Sequence, residues 1–212
     1  MIDKNVEYYN ENADSFFSGS VNADMSYMRD KFISFVPAGS SILDAGCGSG
    51  RDSKAFLDAG YEVTAFDASS EMCKRAAEHI GKEVLNLRFE DMAFDSEFDA
   101  IWACASLLHV PVNELPGIMK KMNKALNDGG IMYASFKYGE GTKMRGDRKF
   151  SDFNEKSVVP LFENAGFSIL VNEISTDCRP GRDDEKWINV IAKKGYCELL
   201  DDQSVLGGEI YV

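Results

Sequence analysis

The segment Leu43-Asp44-Ala45-Gly46-Cys47-Gly48-Ser49-Gly50 follows a short apolar run and precedes a helix-like stretch, and this placement constrains the chain more than any other feature. Ser41-Ile42-Leu43 reads as a buried strand. A backbone that turns sharply behind it and comes close to a ligand needs residues without a Cβ. Strand, glycine loop and helix in that order are the context of a nucleotide-binding turn. A dinucleotide loop would read G-x-G-x-x-G, with its pyrophosphate on the helix N-terminus. Here the pattern is G-x-G-x-G, led by the acid Asp44 and followed by Arg51. That spacing suits a ligand with no pyrophosphate and a positive amino end.

On these residues the chain resembles the class I S-adenosylmethionine (SAM) dependent methyltransferases, whose first motif Asp44 to Gly50 matches in full. Tyr61 to Phe66 alternates into a second strand ending at Asp67. The resemblance implies that Asp67 holds the ribose hydroxyls, since a carboxylate accepts two hydrogen bonds at once. Arg88-Phe89-Glu90-Asp91-Met92 is similar to the family's adenine segment, which implies Asp91 at the exocyclic amine and the Met92 backbone at the ring. Leu126-Asn127-Asp128-Gly129-Gly130 stands where the family has Leu-x-Pro-Gly-Gly, with Asp128 replacing the proline. The implied cofactor is SAM, with S-adenosylhomocysteine as product. Its implied binding set is Asp44, Gly46, Cys47, Gly48, Gly50, Arg51, Asp67, Ala68, Asp91, Met92 and Ala103. Taken one at a time, Asp67 and Asp91 also suit helix caps or turn acids. Arg51 suits either the methionine carboxylate or a solvated turn.

At 212 residues and 44% hydrophobic content the chain supports one α/β core. A net charge of -12 opposes attraction to phosphate backbones, so no nucleic-acid partner is expected. Five cysteines, at 47, 73, 104, 178 and 197, show no C-x-x-C spacing and indicate neither a disulfide framework nor zinc. With no basic n-region at Met1-Ile2-Asp3 and no span-length apolar stretch, the expectation is a cytoplasmic protein off the membrane. The sequence leaves the oligomeric state open.

Apolar residues at Val6, Tyr9, Ala13, Phe16 and Phe17, then at Met25, Met28, Phe32, Phe35 and Val36, predict two helices before the first strand. Strands at 41–44, 61–66, 83–87, 98–104 and 130–137 then alternate with helices at 51–59, 70–80 and 113–126. A helix near 155–165, which Pro160 must either kink or delay, precedes strands at 167–174 and 186–192. The alternation predicts a Rossmann-like α/β sheet, mostly parallel, with helices on both faces. The resemblance implies seven strands in order 3-2-1-4-5-7-6. Residues 1–193 are expected as one methyltransferase domain, with 1–37 as a helical lid and 194–212 as a tail of open role.

Ligands in such sheets bind beyond the carboxyl ends of the strands. His109, on the exit loop of the fourth strand, is either a substrate contact and proton acceptor or a packing and capping histidine. Tyr8 and Tyr9 lie on the expected lid, where aromatic faces suit a sulfonium cation. Cys104 lacks the preceding proline of pyrimidine-attacking cysteines, and Ala103 to Ser106 does not resemble an Asn-Pro-Pro-Tyr motif, so DNA methylation is disfavoured. The basic stretch Lys137 to Lys149 and the pair Arg179 and Arg182 predict a positive mouth for an anionic acceptor. Gly46 to Ser53 followed by Ala59 to Val63 is similar to the tellurite-resistance-type methyltransferases, which implies a small anionic or soft acceptor. A protein methyltransferase and a SAM-binding regulator without activity are the alternatives.

Overall fold

The computed structural model describes residues 3–195. Asp3 accepts from the Asn5 amide at 2.9 Å and caps α1 (Lys4–Glu11). Instead of two N-terminal helices there are three, with α2 (Ala13–Ser20) and α3 (Ser26–Ile33) following. Asn12 causes the split: its backbone leaves helical geometry at φ -110, and its Nδ2 donates to the Tyr8 carbonyl at 2.9 Å.

The alternating core then runs β1 (Ser41–Ala45), α4 (Arg51–Asp58), β2 (Glu62–Asp67), α5 (Ser70–Ile80), β3 (Leu85–Asn86), β4 (Phe98–Ala103), α6 (Leu115–Ala125) and β5 (Leu126–Lys137). A hairpin, β6 (Gly141–Arg145) and β7 (Arg148–Asp152), precedes α7 (Glu155–Glu163), β8 (Phe167–Thr176) and β9 (Lys186–Lys194). The seven-stranded sheet has the order β3-β2-β1-β4-β5-β9-β8. Without the hairpin this is the expected order. The added hairpin shifts the numbers of the last two strands. β9 lies antiparallel to both neighbours, β5 and β8.

The hairpin falls in the basic stretch Lys137 to Lys149, for which the sequence predicts no strand past Lys137. Its register runs from Gly141 opposite Asp152 to Arg145 opposite Arg148, closed by Gly146-Asp147 with Gly146 at φ 59. A two-residue Gly-Asp turn between extended runs is a hairpin signal that the charge pattern hid. Pro160 does not delay α7, because Asn154 and Ser157 form a capping box that fixes its start at Glu155. The last strand reaches Lys194, past the expected boundary at 193. The rest of the expected tail, from residue 196 and including Cys197, lies outside the described residues.

Strand alternation divides the core between the two sheet faces. Leu43, Ala45, Ile101 and Ala103 pack with Met119, Met122 and Phe162, from α6 and α7. Ile42, Val63, Ala100 and Trp102 pack with Phe32 and Phe56, from α3 and α4. Trp102, fully buried, stacks on Tyr133 with ring centroids 3.9 Å apart.

Asp52, in the first turn of α4, accepts four hydrogen bonds with its side chain 6% exposed. The donors are Arg29 Nη1 at 2.8 Å, Arg51 Nε at 3.1 Å, Arg51 Nη2 at 2.5 Å and Trp102 Nε1 at 3.0 Å. Burial alone would raise its pKa, but the Arg51 and Arg29 guanidiniums outweigh burial and hold the carboxyl below its ordinary range. Asp52→Ala strands two guanidiniums and an indole N–H, and should cost about 3–5 kcal/mol in urea unfolding followed by circular dichroism.

Candidate active site

The loop leaving β1 meets its neighbours where a side chain would not fit. A Cβ on Gly46, at φ 81, would lie 2.5 Å from Ser106 Cβ, and one on Gly50, at φ 74, 2.9 Å from Ile80 Cγ2. The Gly46 and Cys47 amides both donate to the Phe66 carbonyl at 2.9 Å, which ties the loop to the end of β2. Asp67 follows there. Its carboxylate accepts from the Gly48 amide at 3.0 Å and the Ser69 amide at 2.9 Å. Burial nonetheless raises its pKa. Ala68, next in the chain, accepts from Asn86 Nδ2 at 3.0 Å through its carbonyl.

Asp44 is buried at the end of β1 and accepts from Ser53 Oγ at 2.6 Å. Burial and the nearby Asp52 charge push its pKa up to about 7. Arg51 is not free as a carboxylate clamp, because Asp52 occupies its Nε and Nη2. Nη1 is its one guanidinium nitrogen with no protein acceptor among the described residues. Asp91 is exposed at the end of a 3₁₀ turn, Phe89–Asp91. The Met92 side chain is buried, its amide donates to the Phe89 carbonyl and its carbonyl accepts from Lys121 Nζ. A ring beside Met92 is therefore met by packing rather than by a free backbone group.

Ala103 ends β4, fully buried. Two residues on, Ala105 adopts φ 52, a left-handed conformation costly for a residue with a Cβ. Ser135 Oγ accepts from the Ala105 amide at 2.9 Å, and Ser106 Oγ donates to the Ala45 carbonyl at 2.6 Å. The exit of β4 is thus pinned against the glycine loop. Burial pushes the Cys104 thiol up to about 12, which keeps it protonated and unsuited to nucleophilic attack.

Residues from α1 and α2 close over these strand ends. Asn10 Oδ1 accepts from Ser69 Oγ at 2.7 Å and the Glu71 amide at 3.2 Å. Asp14 pairs with Arg75 and Asp3 with Arg88. Phe16 lies over Gly48, 3.5 Å from where a Cβ would stand, and meets Tyr9 edge-on. Asn5 bridges to the hairpin, accepting from the Lys149 amide at 3.0 Å and donating to the Lys149 carbonyl at 3.2 Å.

Tyr9 and His109, expected separately, come together with the Tyr9 hydroxyl 2.8 Å from His109 Nε2. Arg148 Nη1 donates to the same hydroxyl at 3.0 Å. The Tyr9 proton is thereby left for His109 Nε2, while Nδ1 faces the Lys149 carbonyl at 3.3 Å. This is the Nδ1-protonated tautomer. Burial pushes the imidazole down to about 4, so it is neutral near pH 7.

Three of the arginines expected at a positive mouth are paired with carboxylates. Arg145 is bidentate to Asp152 at 2.8 and 2.6 Å, Arg179 is bidentate to Asp177 at 2.8 and 2.6 Å, and Arg182 pairs with Glu185 at 3.5 Å. Internal carboxylates cancel those charges. The sequence reading also missed Asn5, Asn10 and Ser106, whose roles arise from contacts across the chain.

Residues 42–130 match the methyltransferase domain family. A methyltransferase of Staphylococcus carnosus (strain TM300) is 26% identical over 169 residues, covering 76% of this chain and 77% of that protein. The ubiquinone biosynthesis O-methyltransferase of Xanthomonas axonopodis pv. citri (strain 306) is 32% identical over 106 residues, covering 47% of this chain and 44% of that protein. The structure of Burkholderia thailandensis 1,6-didemethyltoxoflavin-N1-methyltransferase, with 1,6-didemethyltoxoflavin and S-adenosylhomocysteine bound, superposes with a TM-score of 0.73 at 20% identity. That match covers 90% of this chain and 85% of the other. The chain thus carries a methyltransferase domain over residues 42–130, set in a seven-stranded fold that it shares with SAM-dependent methyltransferase structures.

Proposed function

We propose that the chain methylates a small, anionic or soft acceptor held between the exit of β4 and the N-terminal helices. The observation that carries this reading is the Tyr9–His109 contact of 2.8 Å, which sets a half-buried neutral imidazole beyond the exit of β4 under a cover of helix. A loop with no room for a Cβ at Gly46 and a half-buried carboxylate at Asp67 fit SAM. Gly46, Cys47, Gly48 and Gly50 would line it through the backbone, with Asp67 and Ala68 at the ribose and Asp91 and Met92 at the adenine. Asp44 and Arg51 would face its amino-acid end and Ala103 the floor. Bound there, SAM supplies an electrophilic methyl on a sulfonium sulfur.

The chain's own residues position and protect that group. Tyr9 and Phe16 offer aromatic faces to a cation, and the described part of the expected lid, residues 3–37, keeps water out. An acceptor that carries a proton gives it to the Tyr9 hydroxyl as that hydroxyl passes its own to His109 Nε2, while the Lys149 carbonyl holds Nδ1 on the other side. The cover formed by α1 and α2 favours a small acceptor over a protein. The likeness of Gly46 to Ser53 to the tellurite-resistance-type enzymes agrees with that size class.

The test is release of S-adenosylhomocysteine from SAM with an ultrafiltered small-molecule extract, run beside a peptide fraction. Turnover confined to the small-molecule fraction is expected; turnover with peptides alone refutes the reading. His109→Gln should then lower kcat roughly 10²-fold and leave SAM affinity unchanged. Asp67→Ala should weaken SAM binding about 10- to 150-fold by calorimetry, with no NAD binding to the parent protein. Asp44 gains its charge as pH rises through about 7, so SAM affinity should increase between about pH 6 and about pH 8. Asp44→Asn should abolish that slope.

A further inference from the structure

Arg148 differs from the other arginines of the two basic segments. Lys137, Arg145, Arg179 and Arg182 all pair with carboxylates, whereas Arg148 joins no ion pair among the described residues. Its Cζ lies 4.5 Å from the Tyr8 ring centroid and 5.2 Å from that of Phe150. A guanidinium carries five N–H donors. One of them is given to the Tyr9 hydroxyl at 3.0 Å, and the other four meet no protein acceptor among the described residues.

Strand alternation sets Arg148 and Phe150 on one face of β7, and Phe150 in turn packs on His109 with ring centroids 4.8 Å apart. The Tyr9 hydroxyl touches both Arg148 Nη1 and His109 Nε2, so this half-buried cation is one hydroxyl away from the imidazole. A charged fork between aromatic walls, without a counter-charge, matches a planar carboxylate that it can bind through two parallel N–H bonds. A side chain already neutralised by Asp152 or Asp177 offers no such site.

We propose that Arg148 is the specificity-determining residue of the acceptor site and selects a small carboxylate-bearing acceptor. The proposal rests on the small-molecule reading above and adds the charge and shape of the molecule. The carboxylate lies on the open fork of Arg148, and the methyl-accepting group reaches back toward His109. The hairpin β6–β7 is then a recognition element of the active site.

Wild type loaded with S-adenosylhomocysteine is titrated calorimetrically with benzoate and with its neutral isostere benzamide, beside Arg148→Gln and Arg148→Lys. Saturable benzoate binding to wild type is expected, about tenfold or more weaker in Arg148→Gln and partly restored in Arg148→Lys. S-adenosylhomocysteine affinity should stay the same in all three proteins. No saturable benzoate binding to wild type, equal binding by Arg148→Gln, or benzamide binding as tight as benzoate overturns the proposal. In a second arm, the small-molecule extract is split on an anion exchanger and each fraction is assayed for turnover. Activity in the retained fraction supports the proposal, and activity only in the flow-through overturns it. No activity in any fraction counts against the small-molecule reading, while the benzoate titration still decides the role of Arg148.

Discussion

The buried carboxylate of Asp52 holds the frame on which the site is built. Its four donors come from α3, α4 and β4, so one side chain fixes the packing of two helices on the strand whose exit forms the site. Such a group is stable only when every acceptor position is filled. This requirement also commits Arg51, the first residue of α4, to the frame before any ligand arrives. The glycine loop therefore starts from a rigid helix, and Asp67 clamps its other side through the Gly48 amide.

Strain and satisfaction are divided between the two sides of the cleft. The exit of β4 carries a left-handed Ala105, held by Ser135, while Ser106 closes against the Ala45 carbonyl. The opposite wall is made of α1 and α2, which bond to Ser69 and Arg88 through Asn10 and Asp3 and to the hairpin through Asn5 and Tyr9. One short helix thus touches both halves of the site. Anything that moves α1 alters its contacts with Ser69 and with the hairpin together.

Much of this was legible in the residues. Asp44 to Gly50 announced the loop, because positive φ and close approach restrict those places to glycine, and the run of Leu115, Ile118, Met119 and Met122 announced the buried face of α6. Asn12 breaks a helix that periodicity alone would join, since an apolar pattern does not register a side chain competing for its own backbone. The Gly146-Asp147 turn went unread as a hairpin because the charges around it suggested a loop.

The sequence by itself determined the elements, their order and the cofactor loop, since these depend on local periodicity and on which residues tolerate φ above zero. Tertiary structure decided which charges remain available. Arg145, Arg148, Arg179 and Arg182 are alike as letters, and only folding brings Asp152, Asp177 and Glu185 against three of them while Arg148 lies between Tyr8 and Phe150. It also decided that Tyr9 and His109, 100 residues apart, share a hydrogen bond. The free energy of a charge depends on its neighbours in space, and those neighbours are set by long-range packing that no local pattern encodes.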